Sequence, residues 1–208
     1  MRINELFTPH SIPLDELSYT DPGIRSHLIK SGYKPAGEGG DQTTYIGPDG
    51  SVLKIFGTHE GQAGFSADHK MFKFWADYCK KHSGNPYIPH YSDWASFEYP
   101  KGSGQQYLQI KMERLSEISD EKVRLALDHL QFAIIRGQNF ASAQAAMAAK
   151  VGMKIASQPP FNDTKLFDTL VDINKIGMKR GWGFDLHGDN YMMRGNQLVI
   201  VDPWTASS

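Results

Sequence analysis

Gly183-Phe184-Asp185-Leu186-His187-Gly188-Asp189-Asn190, followed by Tyr191-Met192-Met193, Arg194-Gly195-Asn196-Gln197, Leu198-Val199-Ile200-Val201 and Asp202-Pro203-Trp204, is the stretch that decides the fold. Two apolar runs, 190–193 and 198–201, flank a segment containing Gly195 and Asn196. Both residue types accept positive φ, so the pattern predicts two short strands joined by a tight turn. Closing that hairpin draws its ends together. Asp185 and Asn190 sit on the loop before it and Asp202 immediately after it, so the three can converge on one spot. Two carboxylates and an amide offer oxygen ligands only, a set that suits Mg²⁺ far better than zinc or copper.

A second stretch near the amino end carries complementary chemistry. Ala36-Gly37-Glu38-Gly39-Gly40 leads into Thr43-Thr44-Tyr45-Ile46, then Gly47-Pro48-Asp49-Gly50, then Val52-Leu53-Lys54-Ile55-Phe56. Gly-Pro-Asp-Gly is a turn signal between two β-prone runs, which predicts a hairpin entered by a glycine-rich loop. Glycines let backbone N–H groups approach phosphate oxygens, and a lone Lys between apolar neighbours supplies a point charge to them.

Together, and in this order, these stretches resemble the protein-kinase-like superfamily. There Asp-x-x-x-x-Asn precedes a hairpin and a metal-binding Asp, and the loop Asp185-Leu186-His187-Gly188-Asp189-Asn190 looks most like that of aminoglycoside and choline kinases. Framing the loop on Asp189 instead fails, because the residue five further on is Arg194, not Asn. The resemblance implies a catalytic Asp185, a metal pair Asn190 and Asp202, and Lys54 on the α/β-phosphates. His187 would stand in for the loop lysine near the γ-phosphate. Gly37, Gly39 and Gly40 would cover the nucleotide, although the third glycine is adjacent to the second and not three positions later.

The rest of the chain fits an α+β, two-lobed plan. Met71, Trp75 and Tyr78 make a helical stripe ended by Ser83-Gly84-Asn85-Pro86. In the family this helix carries an acid paired with the strand lysine; Asp68, in the first turn, is the best-placed acid here. Ser92–Tyr99 and Gln106–Met112 read as two more strands around a Pro-Lys-Gly-Ser-Gly turn, completing a five-stranded antiparallel sheet with one helix. We expect a lead-in over 1–30, irregular over 8–23, an N-lobe over 31–113, a hinge over 113–118 and a C-lobe over 119–208. By resemblance, Met112, Glu113 and Leu115 would line the adenine site, where the lobes form a cleft. In the C-lobe, Val123, Leu127, Leu130 and Ile134 predict one helix and Gly137 a break. A second, alanine-rich helix follows over 139–150, a loop over 157–163, and a last helix runs to about Gly181.

Composition narrows the function classes. A formal net charge of −1 over 208 residues gives no electrostatic footprint for nucleic acid or a membrane surface. Cys79 is the only cysteine, which excludes an intrachain disulfide and a thiolate metal cluster. No apolar run has signal-peptide or membrane-spanning character, so a cytoplasmic location is the expectation.

The departures from the family pattern shape the functional expectation. Gly183-Phe184 replaces the His-Arg or His-Gly pair before the catalytic Asp, and Pro203 replaces the Gly after the metal Asp. The sequence closes soon after Asp202, which leads us to expect no activation segment and no peptide-docking helices. The resemblance implies an ATP- and Mg²⁺-dependent phosphotransferase that moves the γ-phosphate to a hydroxyl, a protein Ser or Thr ahead of a small molecule. The alternatives are a nucleotide-binding pseudokinase that regulates without turnover, and AMP transfer on the same fold.

Overall fold

The computed structural model describes residues 21–39, 42–57, 67–98, 106–139, 142–186 and 190–206. The fold is α+β and divides into two compact units, 1–83 with 89–114, and 84–88 with 115–208. Among the described residues no helix is long and apolar enough to cross a membrane.

The first unit opens with α1 (Asp21–Lys30), followed by β1 (Lys34–Gly39), β2 (Gln42–Ile46), β3 (Val52–Gly57), α2 (Ala67–Lys81), β4 (Tyr91–Glu98) and β5 (Gln106–Met112). The five strands form the expected antiparallel sheet, and its order β1-β2-β3-β5-β4 places β5 between β3 and β4. The Pro48-Asp49-Gly50 turn closes as expected. The Gly47 N–H donates to the Ser51 carbonyl (2.8 Å) and Gly50 takes φ 78°, a left-handed value that favours glycine. Along α2, Met71, Trp75 and Cys79 are buried, one residue per turn on the face that meets the sheet. Burial also pushes the Cys79 thiol pKa up, so this thiol is core packing. Phe56, Ala76, Leu108 and Ile110 form the centre of the core, with Phe72, Tyr91 and Trp94 packed against it.

Two sequence expectations need correction. Helix α1 begins inside the stretch read as irregular, overlapping it at 21–23. Its apolar residues mark no continuous stripe, but Pro22 suits a first helical turn and Leu28 is fully buried. The other correction is Gly137, which lies inside a helix and marks no break.

The second unit contains α3 (Glu121–Asn139), α4 (Ser142–Ala156), α5 (Thr164–Arg180), β6 (Trp182–Phe184), β7 (Tyr191–Arg194), β8 (Gln197–Ile200) and β9 (Trp204–Ala206). A single glycine in a packed helix costs only about 1 kcal/mol. Helix α3 is anchored by the burial of Leu127, Leu130, Ala133 and Ile134 and continues through Gly137 to Asn139. Helix α4 likewise runs past Lys150, because Gly152 and Ala156 are buried; a Cβ at Gly152 would run into the Phe167 ring. Helix α5 has the expected bounds. The Asp163 side chain caps it by accepting from the Lys165 N–H (2.9 Å). Gly181 ends it in a left-handed turn at φ 72°.

The predicted hairpin is β7–β8, with Arg194 opposite Gln197. Gly195 takes φ 59°, as a two-residue hairpin turn with glycine first requires. The pairing of β6 with β9 was not legible in the sequence. It runs antiparallel from Phe184↔Trp204 to Trp182↔Ala206 and so brackets the whole Asp185–Pro203 stretch.

Candidate functional site

Three interactions within the second unit draw the ends of the hairpin together. The Asp185 N–H donates to the Pro203 carbonyl (2.9 Å), and the Val201 N–H donates to the Asn190 carbonyl (2.9 Å). The Asn190 side chain then closes the loop, Nδ2 donating to the Asp185 carbonyl. Asp185, Asn190 and Asp202 are therefore held on one small backbone frame, as the hairpin reading anticipates. Asn190 is buried, while Asp185 and Asp202 are half-buried.

The donor chemistry of this frame fits a hard cation. With Nδ2 committed to a carbonyl, Oδ1 is the atom Asn190 can turn to a metal, and Asp202 adds carboxylate oxygens of the same kind. Among the described residues no three His, Cys, Asp or Glu side chains group as a metal cage. An all-protein cage is not what Mg²⁺ needs, since it keeps waters and takes one or two protein oxygens plus substrate phosphates. His187, Gly188 and Asp189 lie outside the described residues.

In the first unit, Gly37 and Gly39 lie on β1, paired with Thr44 and Gln42, after a register irregularity between Pro35 and Gly37. Gly40, where the chain leaves β1, lies outside the described residues. Lys54 sits at the centre of β3, between Thr44 of β2 and Ile110 of β5. It is half-buried, with both sequence neighbours, Leu53 and Ile55, buried. Asp68 is the second residue of α2, and Glu60, the other acid near Lys54 in sequence, lies outside the described residues. Asp77 is occupied elsewhere. It accepts from the Trp94 indole Nε1 (2.7 Å) and pairs with Lys73 (3.2 Å).

Met112, the last residue of β5, is buried between Val52 and Tyr91, so its side chain packs in the sheet core. Glu113 extends this sheet edge. Its N–H donates to the His90 carbonyl (3.0 Å) and its Oε1 accepts from the His90 N–H (2.7 Å). The Glu113 amide is thus already committed. Leu115 opens the second unit as a half-buried residue. It is followed by Ser116, which exchanges backbone hydrogen bonds with Met193 of β7 (2.9 and 2.7 Å).

Sequence reasoning missed how the hairpin is supported. Residues 84–88, of which the sequence shows 84–86 only as part of a helix stop, belong to the second unit. The carbonyls of Pro86 and Ile88 are gripped by Arg194, which the sequence shows only as a turn residue. The one visible signal was an arginine at a turn that needs only glycine and a small polar residue.

No protein-family model matches the sequence, and no curated protein matches it. The structure is similar to solved structures that include two kinases. One is a MAP kinase from Leishmania major, 14% identical, with 86% of this chain and 48% of that one covered at a TM-score of 0.42. Another is the APH(2″)-IIa protein in its ternary complex with streptomycin and ATP, 14% identical, covering 91% and 74% at 0.34. A third is the amicoumacin kinase hAmiN with AMP-PNP, Ca²⁺ and Ami, 12% identical, covering 82% and 57% at 0.39. The chain thus spans about half the length of the MAP kinase, 48%. At these identities and TM-scores the likeness is a partial one of fold and reaches no residue's role.

Proposed function

We propose that this chain is an ATP- and Mg²⁺-dependent phosphotransferase that moves the γ-phosphate to a hydroxyl group. The observation that carries the reading is the joining of Asp185, Asn190 and the residues flanking Asp202 by three hydrogen bonds on one frame. In this reading Asp185 orients the acceptor hydroxyl and takes its proton as the oxygen attacks phosphorus. Asn190 Oδ1 and Asp202 hold Mg²⁺, which when bound neutralises charge on the phosphate oxygens. Lys54 supplies a fixed cation to the α/β-phosphates. Gly37, Gly39 and Gly40 let backbone N–H groups approach them. The Leu115 N–H, more than that of Glu113, is the donor to the adenine edge, because the Glu113 amide is committed to His90. His187 contributes to the γ-phosphate when protonated, and Asp68 is the candidate acid for Lys54.

Two assays test this. Mg²⁺ with ATP should raise the unfolding temperature of the wild type, since a ligand that binds only the native state stabilises it by mass action. Asp202→Ala should lose the Mg²⁺-dependent part of that rise, and equal rises in both proteins would remove Asp202 from the metal site. In the second assay γ-labelled and α-labelled ATP are offered separately with protein and small-molecule acceptors. Transfer of the γ-label supports the kinase reading, and its acceptor defines the substrate class. Retention of the α-label identifies AMP transfer. A thermal shift without either transfer identifies a nucleotide-binding regulatory module.

A further inference from the structure

The geometry points to Arg194 as a positioning residue that fixes the Asn190–Asp202 hairpin for its cation by clasping the strap 84–88; this rests on the functional reading above. Arg194 ends β7, and its guanidinium reaches two carbonyls of the strap. Nη1 donates to Pro86 O (3.2 Å) and Nη2 to Ile88 O (2.9 Å). The carbonyl between them, Tyr87 O, accepts from the Ile200 N–H at the end of β8 (2.8 Å). Three consecutive strap carbonyls are therefore held by both strands of one hairpin. A planar guanidinium with a fixed fork of donors can span two such acceptors at once, which an ammonium on a flexible stem cannot do with the same geometry.

The strap is itself anchored. The Asn85 side chain accepts from the Tyr87 N–H (3.0 Å) and donates to Thr169 Oγ1 on α5 (2.9 Å). Tyr87 Oη donates to Asp163 Oδ2 (2.5 Å), the carboxylate that caps α5. Burial, then this hydrogen bond, pushes the Tyr87 phenol pKa up, so the proton stays on the donor. A hairpin this short has little rigidity of its own. It is tied through Arg194 and the strap to the capped start of α5, whose face from Leu166 to Gly177 is buried. The ordinary alternative is a charged residue at a solvated turn, but Arg194 is half-buried and spends two donors on backbone oxygens.

Asn190 precedes β7 and Asp202 follows β8, so slack in the hairpin changes the spacing of the two metal-facing side chains. Outer partners that orient metal ligands are worth about 10–100-fold in metal affinity. Arg194 acts through the backbone and falls at the lower end.

The test is the Mg²⁺ concentration that gives half of the ATP-dependent thermal shift, measured for wild type, Arg194→Ala, Arg194→Lys and Tyr87→Phe. Arg194→Ala should need roughly tenfold more Mg²⁺, with Arg194→Lys between it and the wild type. Tyr87→Phe, which loosens the strap while leaving its carbonyls in place, should move the same way by less and keeps the test valid if Arg194→Ala does not fold. A lower basal melting temperature with unchanged Mg²⁺ half-saturation in every folded variant would overturn the inference alone, leaving Arg194 a stabilising residue only. A wild type with no Mg²⁺-dependent shift would overturn the functional reading and this inference with it.

Discussion

Gly177 in α5 gives the sharpest test of the packing around the candidate site. An exposed glycine in a helix interior is improved by alanine by about 1 kcal/mol, through lower unfolded-state entropy and better helix propensity. At Gly177 an added Cβ would lie 2.8 Å from both Cδ1 and Nε1 of Trp204, nearer than ordinary van der Waals contact. Trp204 is 2% exposed and cannot swing into solvent. Its Nε1 donates to the Ile173 carbonyl of α5 (3.0 Å). Overpacking a filled core costs about 1–3 kcal/mol, and stranding the buried indole N–H costs about 1–3 kcal/mol more. Against the gain of about 1 kcal/mol, Gly177→Ala should lose roughly 1–5 kcal/mol. In a chain of this size each kcal/mol moves the midpoint by about 2–4 °C, so the melting temperature should fall by about 2–20 °C. Trp204 is two residues past Asp202 and pairs with Phe184, the residue before Asp185. The Mg·ATP-dependent shift should therefore shrink as well. Thermal denaturation by circular dichroism, with and without Mg·ATP, reads both effects. A variant that melts higher than the wild type would refute the argument, showing that α5 and Trp204 are not in close contact.

Asp185→Asn keeps the side-chain shape but cannot accept a proton. Turnover should fall by about 10²–10⁴-fold with ATP affinity little changed, while Asp189→Asn stays near wild type. The reverse result in a steady-state assay would move the catalytic role to Asp189. In the first unit, the Lys111 ammonium 2.7 Å from Asp49, aided by the Ser51 hydroxyl and amide, holds the Asp49 carboxyl well below the usual carboxylate range. A depressed folded-state pKa stabilises above the unfolded value of about 3.9 and is lost as pH falls toward the folded value. The pair is largely exposed, so Asp49→Asn should cost at most about 1 kcal/mol at neutral pH. The gap to wild type in urea denaturation should narrow between neutral pH and pH 2; widening on acidification would contradict the pairing.

The sequence alone determined the elements whose signals are local. The Gly47-Pro48-Asp49-Gly50 turn, the stripe on α2, the end of α5 at Gly181 and the Gly195 turn each depend on residues a few positions apart. Their φ preferences and periodicities act before any tertiary contact forms. The meeting of Asp185, Asn190 and Asp202 follows from the same local rules, because a hairpin must bring its own ends together, whereas β5 reaches its place beside β3 only by pairing across fifty or more residues. Tertiary structure decided what depends on partners far along the chain. Helix α1 has no clear stripe and is fixed by burying Leu28, and α3, anchored by the buried Ala133 and Ile134, runs on through Gly137. Strand β6 is too short to read from sequence and exists only by pairing with β9. Arg194 finds its acceptors 108 and 106 residues away. Nothing in a turn motif specifies which distant carbonyls a guanidinium will meet; that is set by how the strap 84–88 packs against α5 and the hairpin.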